Sequence, residues 1–194
     1  MAAPARLVLA SASPRRLDLL RQIGVEPGAV VAANADESVK PQELAPAYVE
    51  RVARAKAAAV AAGRDGALVL AADTAVACGR RILGKAEDEE TARRFLSLLS
   101  GRSHRVWSAV ILAGPGEEVR ARVVQSRVKV ARLEAQDIDA YLASQEWNGK
   151  AGGYAIQGIF AKHVVSIIGS YSNIVGLPLY ETANLLKGAG WRAP

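Results

Sequence analysis

Two short runs with no polar side chain, Leu7–Ala10 and Ala67–Ala72, constrain the fold more than anything else in the chain. A strand with one wet face alternates apolar and polar residues. An unbroken apolar run is what a strand covered on both faces requires. Such strands belong inside a sheet with helices on either side. The first run passes into Ser11-Ala12-Ser13-Pro14-Arg15-Arg16, after which Leu17, Leu20 and Ile23 recur at helical spacing up to Gly24. Ser13 is suited to cap this helix through its hydroxyl, and Pro14 to open it, where a missing N–H costs nothing. The turn thus gathers two hydroxyls, free backbone donors, the positive end of a helix and two guanidinium groups, a combination that suits a phosphate chain.

The same reasoning extends along the chain. It predicts a strand over Arg6–Ala10, a helix over Pro14–Ile23, a short strand over Ala29–Ala33 and an Ala-rich helix over Pro46–Ala62. A strand over Ala67–Ala72 and a helix over Asp88–Leu99 follow. Next come strands over Arg105–Leu112 and Val119–Leu133, joined by the hairpin signal Ala113-Gly114-Pro115-Gly116. A helix over Gln136–Ala143, a strand over Val164–Ile168 and a helix over Pro178–Leu186 complete the order. The expectation is one α/β domain over residues 1–194, with a mixed twisted sheet, flanking helices and two lobes around a central cleft.

Charge and composition narrow the partners. The net charge of +6 favours an anion. The Lys and Arg residues are spread out, with no basic block and no interleaved aromatics, so a small anion is favoured over nucleic acid. A single cysteine, Cys78, excludes an internal disulfide and a cysteine zinc cluster and suits a reducing cytoplasm. Residues 1–6 read as too short and too weakly apolar for a signal peptide, and no run is long enough to span a bilayer.

Five further features carry chemistry. Asp73-Thr74 is expected at the carboxyl end of the second apolar strand, where open α/β sheets bind ligands. Lys56 falls on the apolar stripe set by Val49, Val52 and Val60, so its ammonium must snorkel, find a carboxylate or line a polar cleft. Lys85 follows Gly84 in a loop. Asp36-Glu37 is an acidic pair in a loop, and Glu37 with Asp73 would suit a divalent cation, which often takes one or two carboxylates plus substrate phosphates. Gln157 stands in the glycine-rich segment 151–158, and its amide edge can match the N3–H and O4 of uracil or thymine. His104, His163 and the three tryptophans read as packing or surface residues.

Taken in order, these segments resemble the Maf family of nucleoside triphosphate pyrophosphatases. The resemblance rests on Ser11–Arg16, Asp36-Glu37, Lys56 within 53–57, Asp73-Thr74, and Gly84-Lys85 with Asp88. Leu99-Ser100-Gly101, His104-Arg105-Val106 and the stretch from Gly169 to Leu179 extend it over nearly the whole chain. It implies a fold akin to inosine triphosphate pyrophosphatases and hydrolysis of a nucleoside triphosphate to the monophosphate and pyrophosphate, with Mg or Mn. It implies Asp73 as the proton acceptor, Glu37 and Asp73 as metal ligands, and Ser11, Ser13, Arg15, Arg16, Lys56 and Lys85 as substrate contacts. Arg15, Thr74 and Gln157 resemble the subgroup that acts on dTTP and UTP as house-cleaning of the nucleotide pool, and modified pyrimidine triphosphates fall in the same class. A 7-methyl-GTP pyrophosphatase and a non-catalytic nucleotide-binding regulator of cell division are the alternatives. A homodimer is what the resemblance suggests. Two departures stand out: Ala86, where the family commonly has proline, and Trp107-Ser108, where a threonine is common.

Overall fold

The computed structural model describes residues 6–64, 66–115 and 118–191. Its centre is a seven-stranded sheet. Strand β1 (Leu7–Ala10) leads to α1 (Pro14–Gln22) and β2 (Ala29–Val31). The long α2 (Ala45–Ala61) returns to β3 (Leu68–Cys78), which folds back as β4 (Arg81–Leu83). After α3 (Glu89–Leu99) come β5 (Ser103–Ala113), β6 (Val119–Val130) and α4 (Ala135–Ala143). A 3-10 turn (Ile159–His163), β7 (Val164–Ile168), α5 (Tyr171–Val175) and α6 (Leu179–Gly188) end the fold. The sheet order is β2-β1-β3-β5-β6-β7, with β4 also on β3. The pairs β1–β2 and β1–β3 are parallel; β3–β5, β5–β6, β6–β7 and β3–β4 are antiparallel. The expected mixed sheet with flanking helices is therefore what forms.

The second apolar run continues further than expected. Its strand does not stop at Ala72 but runs to Cys78, because β5 pairs with it from Val69 to Ala77. Asp73 thus lies in mid-strand, not at a strand end. On the other edge of β3 the situation differs. There β1 pairs only as far as Ala71, and β4 begins at Val76. The stretch Ala72–Ala75 has no strand on that side, and the opening lies there.

Side-chain alternation divides the core. Val69, Ala71 and Ala75 face α2 and pack with Val49, Val52, Ala53 and Val60. Val49 and Val52 are fully buried, each contributing about 1.5–3 kcal/mol relative to exposure. Leu68, Leu70 and Ala72 face the opposite way, against Leu19 and Leu20 of α1 and Leu185 and Leu186 of α6. On that same side a separate cluster joins Val76 and Leu83 to α3, α4, Trp147, Tyr154 and Phe160. These two clusters are the two expected lobes. Among the described residues no helix is long and apolar enough to cross a membrane. The hairpin turn of β5–β6 includes Gly116, which lies outside the described residues.

His104 belongs to the second lobe, with Nε2 2.7 Å from the Tyr154 hydroxyl. Burial pushes its pKa down to about 4 from an ordinary 6.5. Between these values the unfolded chain binds a proton that the folded chain refuses. Stability is full above pH 6.5 and falls as the pH drops toward 4. His104→Gln is expected to flatten that fall by up to about 1.4 kcal/mol per pH unit, measured by urea unfolding of both proteins across the window. Parallel curves for parent and variant would show that this imidazole does not drive the acid sensitivity.

Candidate active site

A cavity of about 740 Å³ opens at the unpaired stretch of β3, between the two lobes. Ser11, Ser13, Arg15, Arg16, Glu37, Lys56, Asp73, Thr74, Lys85 and Gln157 all line it. Residues from six separate segments of the sequence therefore converge on one space.

Its floor is a chain of alternating charges. Lys56 sits on the inward stripe of α2, and Asp73 projects from β3 on the pleat that faces α2, so the two meet. The Lys56 ammonium lies 2.7 Å from Asp73 Oδ1 and 2.7 Å from Glu37 Oε1. Lys85 donates to the other Glu37 oxygen at 2.5 Å. Lys56 and Asp73 are only 7% and 6% exposed, so neither charge would be tolerated without the other. Burial pushes the Asp73 carboxyl above the ordinary carboxylate range, against the pull of Lys56 and Arg16. Partial burial acts on Glu37 in the same sense, but hydrogen bonds from Lys56 and Lys85 prevail and hold it at about 2. Asp36, its neighbour, is exposed and accepts from the Ser38 N–H at 2.9 Å. Only the second acid of the pair enters the site.

The Ser11–Arg16 turn forms one wall. Ser13 occupies the cap position and Pro14 the first turn of α1, yet the Ser13 hydroxyl makes no capping bond. The hydroxyl that accepts a backbone N–H is Ser11 Oγ, two residues earlier, from Ser13 N at 3.1 Å. Arg16 is held from several sides. Its Nε donates to the Gly176 carbonyl at 2.8 Å, Nη1 to Ser11 Oγ at 3.2 Å and Nη2 to Thr74 Oγ1 at 3.3 Å. Thr74 Oγ1 lies 2.8 Å from Ser108 Oγ, its cross-strand partner, which donates to the Asn173 carbonyl at 3.0 Å. Ser108, one of the departures from the family pattern, is thus a buried link from β5 to α5. Arg15 faces the cavity, and its Nε is buried without a partner.

The opposite wall is the segment from Asn148 to Gln157. Gly149 N donates to the Ala86 carbonyl, Ala86 N to the Lys150 carbonyl and Gly152 N to the Gly84 carbonyl, at 2.8–3.1 Å. This ladder fixes the Lys85 loop, and Ala86, the other departure, lies fully buried within it. Gly152 is required: its φ is +69°, and a Cβ would stand 2.9 Å from Val76 Cγ1. Gln157 is exposed at the rim of the cavity. Sequence reasoning passes over Lys150, and it marks Ser108 only as a departure from the family pattern, with no role attached. Glycines on either side of Lys150 are the available signal; the link that Ser108 makes to α5 depends on tertiary packing.

Among the described residues no group of three or more His, Cys, Asp or Glu side chains is placed to hold a metal ion. Glu37 and Asp73, both against one ammonium, form the acidic pair. That donor set fits a hard cation that completes its shell with phosphate and water oxygens. His104 and His163 are buried away from the pair, in the second lobe, and Cys78 is a free thiol.

The Maf-like protein family matches residues 6–189. The chain is 59% identical over 185 residues to a dTTP/UTP pyrophosphatase of Paramagnetospirillum magneticum, covering 95% of this chain and 97% of the relative. It is 57% identical over 186 residues to a dTTP/UTP pyrophosphatase of Rhodospirillum rubrum, covering 96% and 89%. A solved nucleoside-triphosphatase / dITP/XTP pyrophosphatase from Mycobacterium abscessus aligns with a TM-score of 0.44 at 17% identity, over 95% of this chain and 93% of that one. By the length and identity of these sequence matches, the chain is a member of the Maf-like protein family.

Proposed function

We propose that this protein hydrolyses dTTP and UTP to the nucleoside monophosphate and pyrophosphate, clearing such nucleotides from the cytoplasmic pool. The observation that carries the reading is the meeting of Asp73, Glu37, Lys56 and the Ser11–Arg16 turn in one cavity. The activity named for relatives at 57–59% identity supports it.

In this reading the triphosphate lies over the Ser11–Arg16 turn, with Arg15, Arg16, Lys56 and Lys85 balancing its charge and the two serine hydroxyls as further contacts. Asp73 accepts a proton from the attacking water. A bond forms between that water oxygen and the α-phosphorus, the bridging bond to the β-phosphate breaks, and pyrophosphate leaves with the electron pair. A buried carboxylate with a raised pKa is a better base than an exposed one, and the adjacent Lys56 ammonium favours its ionised form. Glu37 and Asp73 would hold Mg or Mn, which would neutralise phosphate charge and ease deprotonation of water. Positioning and electrostatics supply most of the rate in such reactions. Gln157, with Arg15 and Thr74, selects the base. Its amide can pair with the uracil or thymine edge, and a wrong base leaves those groups unpaired.

Asp73→Asn is expected to lower turnover of UTP by about 10³-fold while the protein stays folded, as read by pyrophosphate release and thermal melting. Full activity in the folded variant would remove Asp73 from the chemistry. Gln157→Ala is expected to shrink the preference for UTP over CTP by about tenfold, measured as a ratio of kcat/KM values. An unchanged ratio would place base selection elsewhere. A panel of triphosphates that includes 7-methyl-GTP and modified pyrimidines tests the substrate class directly.

A further inference from the structure

The cations around the cavity are not equally free. Lys56 is shared by Asp73 and Glu37, and Lys85 is paired with Glu37. Arg16 is engaged by the Gly176 carbonyl, Ser11 and Thr74. Two cations remain. Arg15 makes no ion pair among the described residues, and its Nε is buried with nothing to accept its proton. Lys150 likewise makes no ion pair among the described residues; its ammonium donates only to the Asn148 carbonyl, at 2.9 Å.

These two residues belong to different lobes. Arg15 opens α1, on the lobe built with α6. Lys150 lies on the glycine-rich wall of the second lobe, held there by the main-chain ladder to Gly84 and Ala86. Both line the same cavity. Burial lowers the pKa of each, and Lys150 is lowered further by the charge of Arg15, with the Glu146 carboxylate only partly opposing this. Two half-buried like charges that sense each other, neither of them ion-paired among the described residues, are an unfavourable arrangement until an anion arrives.

We propose that Lys150 is a further substrate-binding residue, which together with Arg15 holds a phosphate group between the two lobes; the identity of that phosphate as part of a nucleoside triphosphate rests on the function proposed above. The ion-paired lysines then organise the carboxylates, while the unpaired Arg15 and Lys150 supply the charge that captures the ligand. Binding replaces a repulsion across the cleft with two charge-assisted contacts. It also ties the lobes together.

The test uses inorganic pyrophosphate as the probe, titrated calorimetrically into the protein in excess chelator. Lys150→Met is expected to weaken pyrophosphate binding about tenfold, the loss of one charged hydrogen bond. In assays with UTP, KM is expected to rise by a similar factor while kcat stays within about threefold. Lys150→Arg is expected to restore most of the affinity, since a charge and not a shape is lost. Lys150→Gln serves as a second neutral variant, with thermal melting to confirm that each protein folds. Folded neutral variants that bind pyrophosphate as tightly as the parent would overturn the proposal. If the parent binds pyrophosphate through Lys150 but releases none from UTP, the clamp stands and the proposed reaction falls.

Discussion

The ammonium of Lys56 is the contact on which the site depends. It comes from a helix whose inward stripe is otherwise valine and alanine, and it reaches a carboxylate in the middle of a buried strand. Either charge alone in that position would be forced toward its neutral form or would open the structure to water. Together they are tolerated, and Glu37 adds a second negative charge from a loop that Tyr48 and Arg51 of α2 also hold, through the Glu37 and Ser38 carbonyls. One lysine therefore contacts two acids, joins a loop to a helix and a strand, and opposes the effect of burial on the group assigned as base. Removing one partner of such a buried set costs more than the set itself contributes, because the remaining charge has no substitute.

The sheet makes room for this arrangement through an interruption. One edge of β3 is covered by β1 as far as Ala71 and by β4 from Val76. Between them the strand is left bare, and consecutive residues there serve opposite faces. Asp73 turns to α2 and the charged floor; Thr74 turns to Ser108, Arg16 and Gly176. A strand paired along both edges would have sealed this opening, and a strand that ended at Ala72 would have lost the β5 partner that holds Thr74 in place.

Much of the fold is legible in the sequence because its signals are local. The strand at Val164–Ile168 is bounded as expected, and each of the longer helices lies within a residue or two of its expected span. The end of β3 was not legible, because an Asp in an apolar run normally marks a turn; only the long pairing with β5 shows that it does not. Strand β4 and helix α5 are too short for periodicity to reveal. The site residues were legible one at a time, from their types and neighbours. Their convergence was not, since Lys56, Glu37 and Asp73 come from three elements whose approach depends on tertiary packing. Lys150 escaped notice for the same reason: its role follows from which other cations are already paired, a property no sequence displays.

One bond joins the beginning of the chain to its end. Arg16 Nε donates to the Gly176 carbonyl across 160 positions. Translation delivers these groups in order, so the arginine emerges from the ribosome long before its acceptor exists. A nascent chain, or one cut short ahead of α5, holds the Ser11–Arg16 turn without the carbonyl that Arg16 Nε donates to. The orientation of that arginine thus waits for a segment synthesised 160 positions later.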